Sequence, residues 1–138
     1  MRAMDETSLE DQLAVMPLFE GLTPEQLEEV AGTVLDRRVK PGKAVIKAGN
    51  WGHELVLVLE GEVDVLRDGQ VVATLGPGNH VGEVAVLDDS RRNATVVAKT
   101  PVVIGAIDTG LFHALLREIP VLAERIAASA AERTPDAQ

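Results

Sequence analysis

The chain has 138 residues, the size of one ordinary domain, and a core of that size holds together without staples. It has no cysteine, 22 acidic against 13 basic residues, a formal charge of −9 and only 2 % aromatic residues. Disulfides and thiolate metal sites are thereby excluded, and such a surface offers neither a basic track for a polyanion nor a platform for stacked bases.

The N-terminal stretch "MRAMDETSLEDQ" is polar and acidic, which argues against a signal peptide. No apolar run approaches the roughly 18 residues needed to span a bilayer. A cytoplasmic protein with no membrane and no nucleic-acid partner is expected. Leu9, Leu13 and Met16 then form a helical stripe that ends at Pro17. In "GLTPEQLEEVAGTVL", Thr23 is a natural N-cap, Pro24 suits the first helical position and Gln26 completes a capping box. Helices are expected over about residues 6–33.

From Thr33 to Asp108 short β-rich runs alternate with glycine turns: "TVLDRRV", "KAVIKAG", "ELVLVLEG", "EVDVLRDG", "QVVATLGPG", "ATVVAKT" and "VVIGAID". Asp68-Gly69 between two such runs is a hairpin signal, and Pro41-Gly42 and Pro77-Gly78 mark further turns. Many short strands at this spacing imply a jelly roll, sandwich or barrel over about residues 34–108. The helical pattern returns over about residues 109–134, with Asp108 or Thr109 as cap and Pro120 dividing two helices. The expected class is mainly β with flanking helices, in a single domain.

The stretch "VGEVAVLDDSRRNATVVA", Val81 to Ala98, fits no single element. Gly82 permits close approach of a ligand to the backbone. Glu83 to Leu87 suit one helical turn, whose free N–H groups attract an anion. An arginine a few residues on supplies a planar fork for phosphate oxygens. Glu83, an acceptor only when ionised, repels phosphate but accepts from a sugar hydroxyl. An anion site beside a hydroxyl site describes a ribose phosphate.

This stretch resembles the phosphate-binding cassette of the cyclic nucleotide-binding domain family. That pattern runs Gly-Glu, apolar, Ala, two apolar residues, three variable residues, Pro-Arg, a small residue, Ala and Thr. Here Gly82-Glu83-Val84-Ala85-Val86-Leu87, Asp88-Asp89-Ser90, Arg91-Arg92, Asn93, Ala94 and Thr95 stand in that order. "PGKAVIKAGN", "LVLVLEGEVDV", "LGPGNHVGE" and "MPLFEGLTPEQLEEVA" are similar to the family's other signatures, so the likeness spans about Met16 to Arg133.

The resemblance implies a double-stranded β-helix, or jelly roll, holding cyclic AMP or cyclic GMP as ligand, with no other cofactor and no metal. Gly82 and the backbone of Val84 and Ala85 face the cyclic phosphate, Arg92 pairs with it, and Glu83 accepts from the ribose 2′-hydroxyl. Arg91 takes the family's proline position and is expected in solvent. Val72, Ala73 and Val84 offer apolar contact, with Ala94 beside them in the cassette. Asn93 replaces a small residue; the lack of Thr there favours cyclic AMP over cyclic GMP. The helix after Pro120 acts as a hinged lid, with Arg133 placed to cap the base. Partners are the nucleotide and either a second copy or a downstream effector, in a free-standing sensor or a piece of a larger protein.

Two rival readings remain from the residues. One is a non-binding member of the fold that dimerises or binds another protein, for which the short lid and Asn93 speak. The other is a cupin-like metalloenzyme. His53, His80 and His113 stand far apart in three contexts, and no nucleophile elbow or phosphate-binding Gly-Lys loop is present, so neither metal nor catalytic residues are expected. Trp51 sits in a turn as a loop aromatic. "LAERIAASAA" offers a small-residue helix face to the β-roll or to a second copy.

Overall fold

The computed structural model describes residues 8–83, 91, 92 and 94–133, with the side chains of residues 132 and 133 excepted. Helix α1 (Leu9–Ala14) is capped by the Ser8 hydroxyl, which accepts from the Asp11 N–H. A 3-10 turn (Pro17–Phe19) follows, then α2 (Pro24–Ala31). The expected capping box is present: Thr23 Oγ1 accepts from the Gln26 N–H at 3.1 Å, and Gln26 Oε1 from the Thr23 N–H at 2.9 Å. These two bonds satisfy donors that the start of a helix leaves open.

Among the described residues eight strands come next: β1 (Val34–Val39), β2 (Ala44–Ile46), β3 (Glu54–Glu60), β4 (Val63–Arg67), β5 (Gln70–Leu75), β6 (His80–Val81), β7 (Thr95–Ala98) and β8 (Val102–Asp108). They form two four-stranded antiparallel sheets, in the orders β1-β8-β3-β6 and β2-β7-β4-β5. The β4–β5 hairpin turns on Asp68 at φ 55° and Gly69 at φ 79°, the positive values that a tight hairpin needs. Helices α3 (Thr109–Glu118) and α4 (Pro120–Arg133) follow. The Asp108 carboxylate caps α3 by accepting from the Gly110 and Leu111 N–H groups. The mainly β class with flanking helices is therefore the observed one.

Strand β3 explains why two cores form. Its sequence "ELVLVLE" is apolar on both faces, the mark of a strand covered on both sides. Leu55, Leu57 and Leu59 face the helices, in a cluster with Leu13, Phe19, Ile107, Phe112 and Ile126. Val56 and Val58 face the second sheet, among Ile46, Val63, Val81, Val96 and Ile104. The helices are thus packed on the outside of one sheet, and the second core lies within the β-roll. Leu122 and Ile126 of α4 are buried in the first cluster, so one face of the small-residue helix packs on this domain. Arg125 also ties α4 to the N-terminal segment, donating to the carbonyls of Leu18 and Glu20.

Candidate functional site

The site is built where β6 ends. Val81 and His80 pair with Val56 and Leu57 of β3, which fixes the exit of β6. Gly82 follows at φ +91°, a backbone conformation strained for any residue with a Cβ. Glu83 comes next with a side chain only 1 % exposed, the one charged residue in the buried set among the described residues. A buried carboxylate needs donors to be tolerated. Ser129 Oγ, from α4, donates to Glu83 Oε2 at 3.0 Å, and His80 Nε2 stands 4.0 Å from Oε1.

Arg92 approaches the same corner from the far end of the cassette. Its backbone is pinned to the β2–β3 loop: its N–H donates to Asn50 O at 2.6 Å, and its carbonyl accepts from the Gly49 N–H at 2.9 Å. Its side chain turns inward, with Nη1 donating to Gly82 O at 3.1 Å and Nη2 to Glu54 O at 2.7 Å. Burial pulls the Arg92 pKa below its ordinary value, and the nearby Glu54 opposes that shift. A Cβ on Gly82 would run into the Arg92 guanidinium, so glycine is what lets the fork lie against the backbone. A guanidinium has more N–H donors than these two bonds use, so the fork retains capacity for an anion.

The two arginines are physically different. Arg91 is exposed; its Nη1 donates to Gly49 O at 2.9 Å and its guanidinium lies over the Trp51 ring, 4.7 Å from the centroid. Trp51 and Arg91 also form an isolated antiparallel bridge. The loop aromatic is thus half-exposed, as expected, while Arg91 is stacked and hydrogen-bonded on the surface rather than simply solvated. The cassette's later residues are anchored into the roll: Ala94 is buried, and Thr95 Oγ1 accepts from the Ala48 N–H at 3.0 Å.

The expected contact residues on β5, Val72 and Ala73, are both exposed. Ala73 pairs with Val65, whose side chain packs against the inner core of the roll. Val72 lies where the β4–β5 register shifts and is exposed. Val84, Ala85 and Asn93, and the side chain of Arg133, lie outside the described residues; α4 itself does reach Arg133. Among the described residues no three His, Asp or Glu side chains gather as metal ligands, and no helix is long and apolar enough to cross a membrane.

The structure brings Arg92 onto Gly82, the residue before Glu83, so three of the residues named by the cassette pattern lie near one another. Residues 36–118 match the family model described as cyclic nucleotide-binding domain. The chain belongs to the cyclic nucleotide-binding domain family. It is 37 % identical over 127 residues to the cyclic AMP receptor protein of Thermus thermophilus, covering 88 % of this chain and 58 % of that protein. It is 34 % identical over 118 residues to a cAMP-dependent protein kinase regulatory subunit of Colletotrichum orbiculare, covering 84 % of this chain and 30 % of that one. Among solved structures it is similar to the regulatory subunit of a cAMP-independent protein kinase A from Trypanosoma brucei, with a TM-score of 0.79 and 29 % identity over 86 % of this chain and 43 % of that one. This cyclic nucleotide-binding domain therefore spans well under two thirds of these relatives.

Sequence reasoning missed two residues of the site. Ser129 is a lone hydroxyl in the alanine-rich "IAASAA", and His80 sits three residues before Glu83 in "NHVGE". Neither has a pattern of its own. The signal was the buried carboxylate: a Glu that must lie inside requires donors, and these are two of the polar side chains that reach it.

Proposed function

We propose that this cyclic nucleotide-binding domain is a non-catalytic sensor that binds cyclic AMP in preference to cyclic GMP. Arg92 pairs with the cyclic phosphate beside Gly82 and the backbone of Val84 and Ala85. Glu83 accepts from the ribose 2′-hydroxyl. Val72, Ala73, Ala94 and Asn93 line the rest of the ligand's path, and Arg133 caps the base from the end of α4. The observation that carries this reading is Arg92 folded over Gly82 next to a carboxylate 1 % exposed. Arg92 bonds the carbonyl of Gly82, the residue just before Glu83, and a cation and a carboxylate set on either side of one peptide suit a ligand with an anionic and a hydroxyl end.

Nucleotide contact differs between arrangements of α4, so binding shifts their populations and a second copy or an effector reads the change. The chain acts as one domain, in the cytoplasm, without nucleic acid or membrane as its own partner. Isothermal titration with each nucleotide tests the reading. Heat and a thermal shift with cyclic AMP, weaker with cyclic GMP, are expected. Neither heat nor thermal shift at millimolar nucleotide would overturn it.

The second reading, a non-binding interaction module of the same fold, is favoured by one observation: Glu83 and Arg92 already hold protein partners, Ser129 for the first and two backbone carbonyls for the second. Sedimentation with and without nucleotide separates the two, since only a sensor changes its response to cyclic AMP.

A further inference from the structure

Helix α4 reaches the Glu83 corner through Ser129. Ser129 Oγ lies 3.0 Å from Glu83 Oε2 and 2.8 Å from His80 Nε2. A hydroxyl has one proton to give, and an ionised carboxylate can only accept. The Ser129 proton is therefore committed to Glu83, and Nε2–H of His80 donates to the Ser129 oxygen. A short polar chain, His80 on β6 to Ser129 on α4 to Glu83 after β6, joins the helix to the roll. It is the polar complement of the apolar contacts that Leu122 and Ile126 make two turns and one turn earlier.

The chemistry at Glu83 is that of an aliphatic alcohol donating to a carboxylate. A ribose 2′-hydroxyl would make the same bond. We infer that Ser129 is an internal stand-in for the sugar: it occupies Glu83 in the nucleotide-free protein, holds α4 on the roll, and is displaced when the ribose arrives. Ser129 is then the positioning residue through which occupancy of the sugar site reaches α4. The inference rests on the proposed role of Glu83 as ribose acceptor. It also explains how a carboxylate needed for a ligand stays buried and satisfied before that ligand binds.

Ser129→Ala and Ser129→Thr test this by two readouts. Alanine is a better helix former than serine, so the variant keeps α4. Amide hydrogen exchange of the nucleotide-free protein reads the tether, and titration calorimetry reads the competition. Ser129→Ala is expected to speed exchange in α4 and to bind cyclic AMP about tenfold more tightly, the scale of one hydrogen bond to a charged group. Ser129→Thr, which keeps the hydroxyl, is expected to behave as wild type in both. Unchanged affinity in Ser129→Ala overturns the competition; weaker binding also overturns it and makes Ser129 a ligand contact instead. Exchange in α4 that is indifferent to Ser129→Ala overturns the tether. A wild-type protein that binds no nucleotide removes the proposed function and the competition together, whereas wild-type binding with an indifferent Ser129→Ala removes the competition alone.

Discussion

Replacing Gly82 by alanine perturbs the corner in two ways at once. The backbone there is at φ +91°, where an L side chain is strained by about 1–2 kcal/mol. The new Cβ also meets the Arg92 guanidinium, which must leave its bonds to Gly82 O at 3.1 Å and Glu54 O at 2.7 Å. Losing bonds from a charged donor costs about 1–3 kcal/mol more where the acceptors stay buried. A net loss of about 2–5 kcal/mol in unfolding free energy is expected from the two together. For a domain of this length each kcal/mol moves Tm by about 3–5 °C, so Tm falls by roughly 6–25 °C. Urea denaturation gives the free energy, and titration with cyclic AMP gives the affinity, which falls with the displaced arginine. A Gly82→Ala protein with wild-type stability and wild-type affinity would refute both the strain and the Gly82–Arg92 packing.

Glu118 of α3, through its side-chain contact and its like charge, raises the pKa of Glu29 of α2 above its ordinary value. The folded protein thus holds this proton more tightly than the unfolded chain. The stabilising contribution is present at low pH and lost as pH rises through the raised value, so Glu29→Gln should flatten that part of a Tm-versus-pH curve and raise Tm at neutral pH. A steeper slope in the variant would contradict the pairing. Phe112 is 0 % exposed in the core between the helices and the first sheet. Phe112→Ala should cost about 3–5 kcal/mol by urea denaturation, and a cost under about 1 kcal/mol would mean α3 does not pack there.

Local chemistry made much of this structure legible from the sequence. Thr23, Pro24 and Gln26 announce the start of α2 because a cap is decided by neighbours in the chain. Asp68-Gly69 announces the β4–β5 turn because few residues tolerate the required φ. Gly82, Glu83 and Arg92 were legible through an ordered pattern, and the structure gathers them in one corner. Nothing local shows that Leu35 on edge strand β1 is 73 % exposed, since only the sheet order reveals an unpaired edge. Val72 fell at a register shift, a product of how β4 and β5 pair. Ser129 was invisible for a related reason: its partner lies 46 positions away in the chain, and only the packing of α4 on the roll brings the two together. The environment of Arg91 likewise depends on the loop that carries Trp51.

The most direct measurement is titration calorimetry of cyclic AMP into the wild-type domain and into Arg92→Ala, with urea denaturation confirming that the variant is folded. Wild-type binding that weakens by about 2–4 kcal/mol in the variant is expected, the scale for removing a charge-assisted phosphate contact from a partly buried site. Equal affinity in a folded Arg92→Ala protein, or no binding by wild type, would contradict Arg92 as the anchor of the cyclic phosphate.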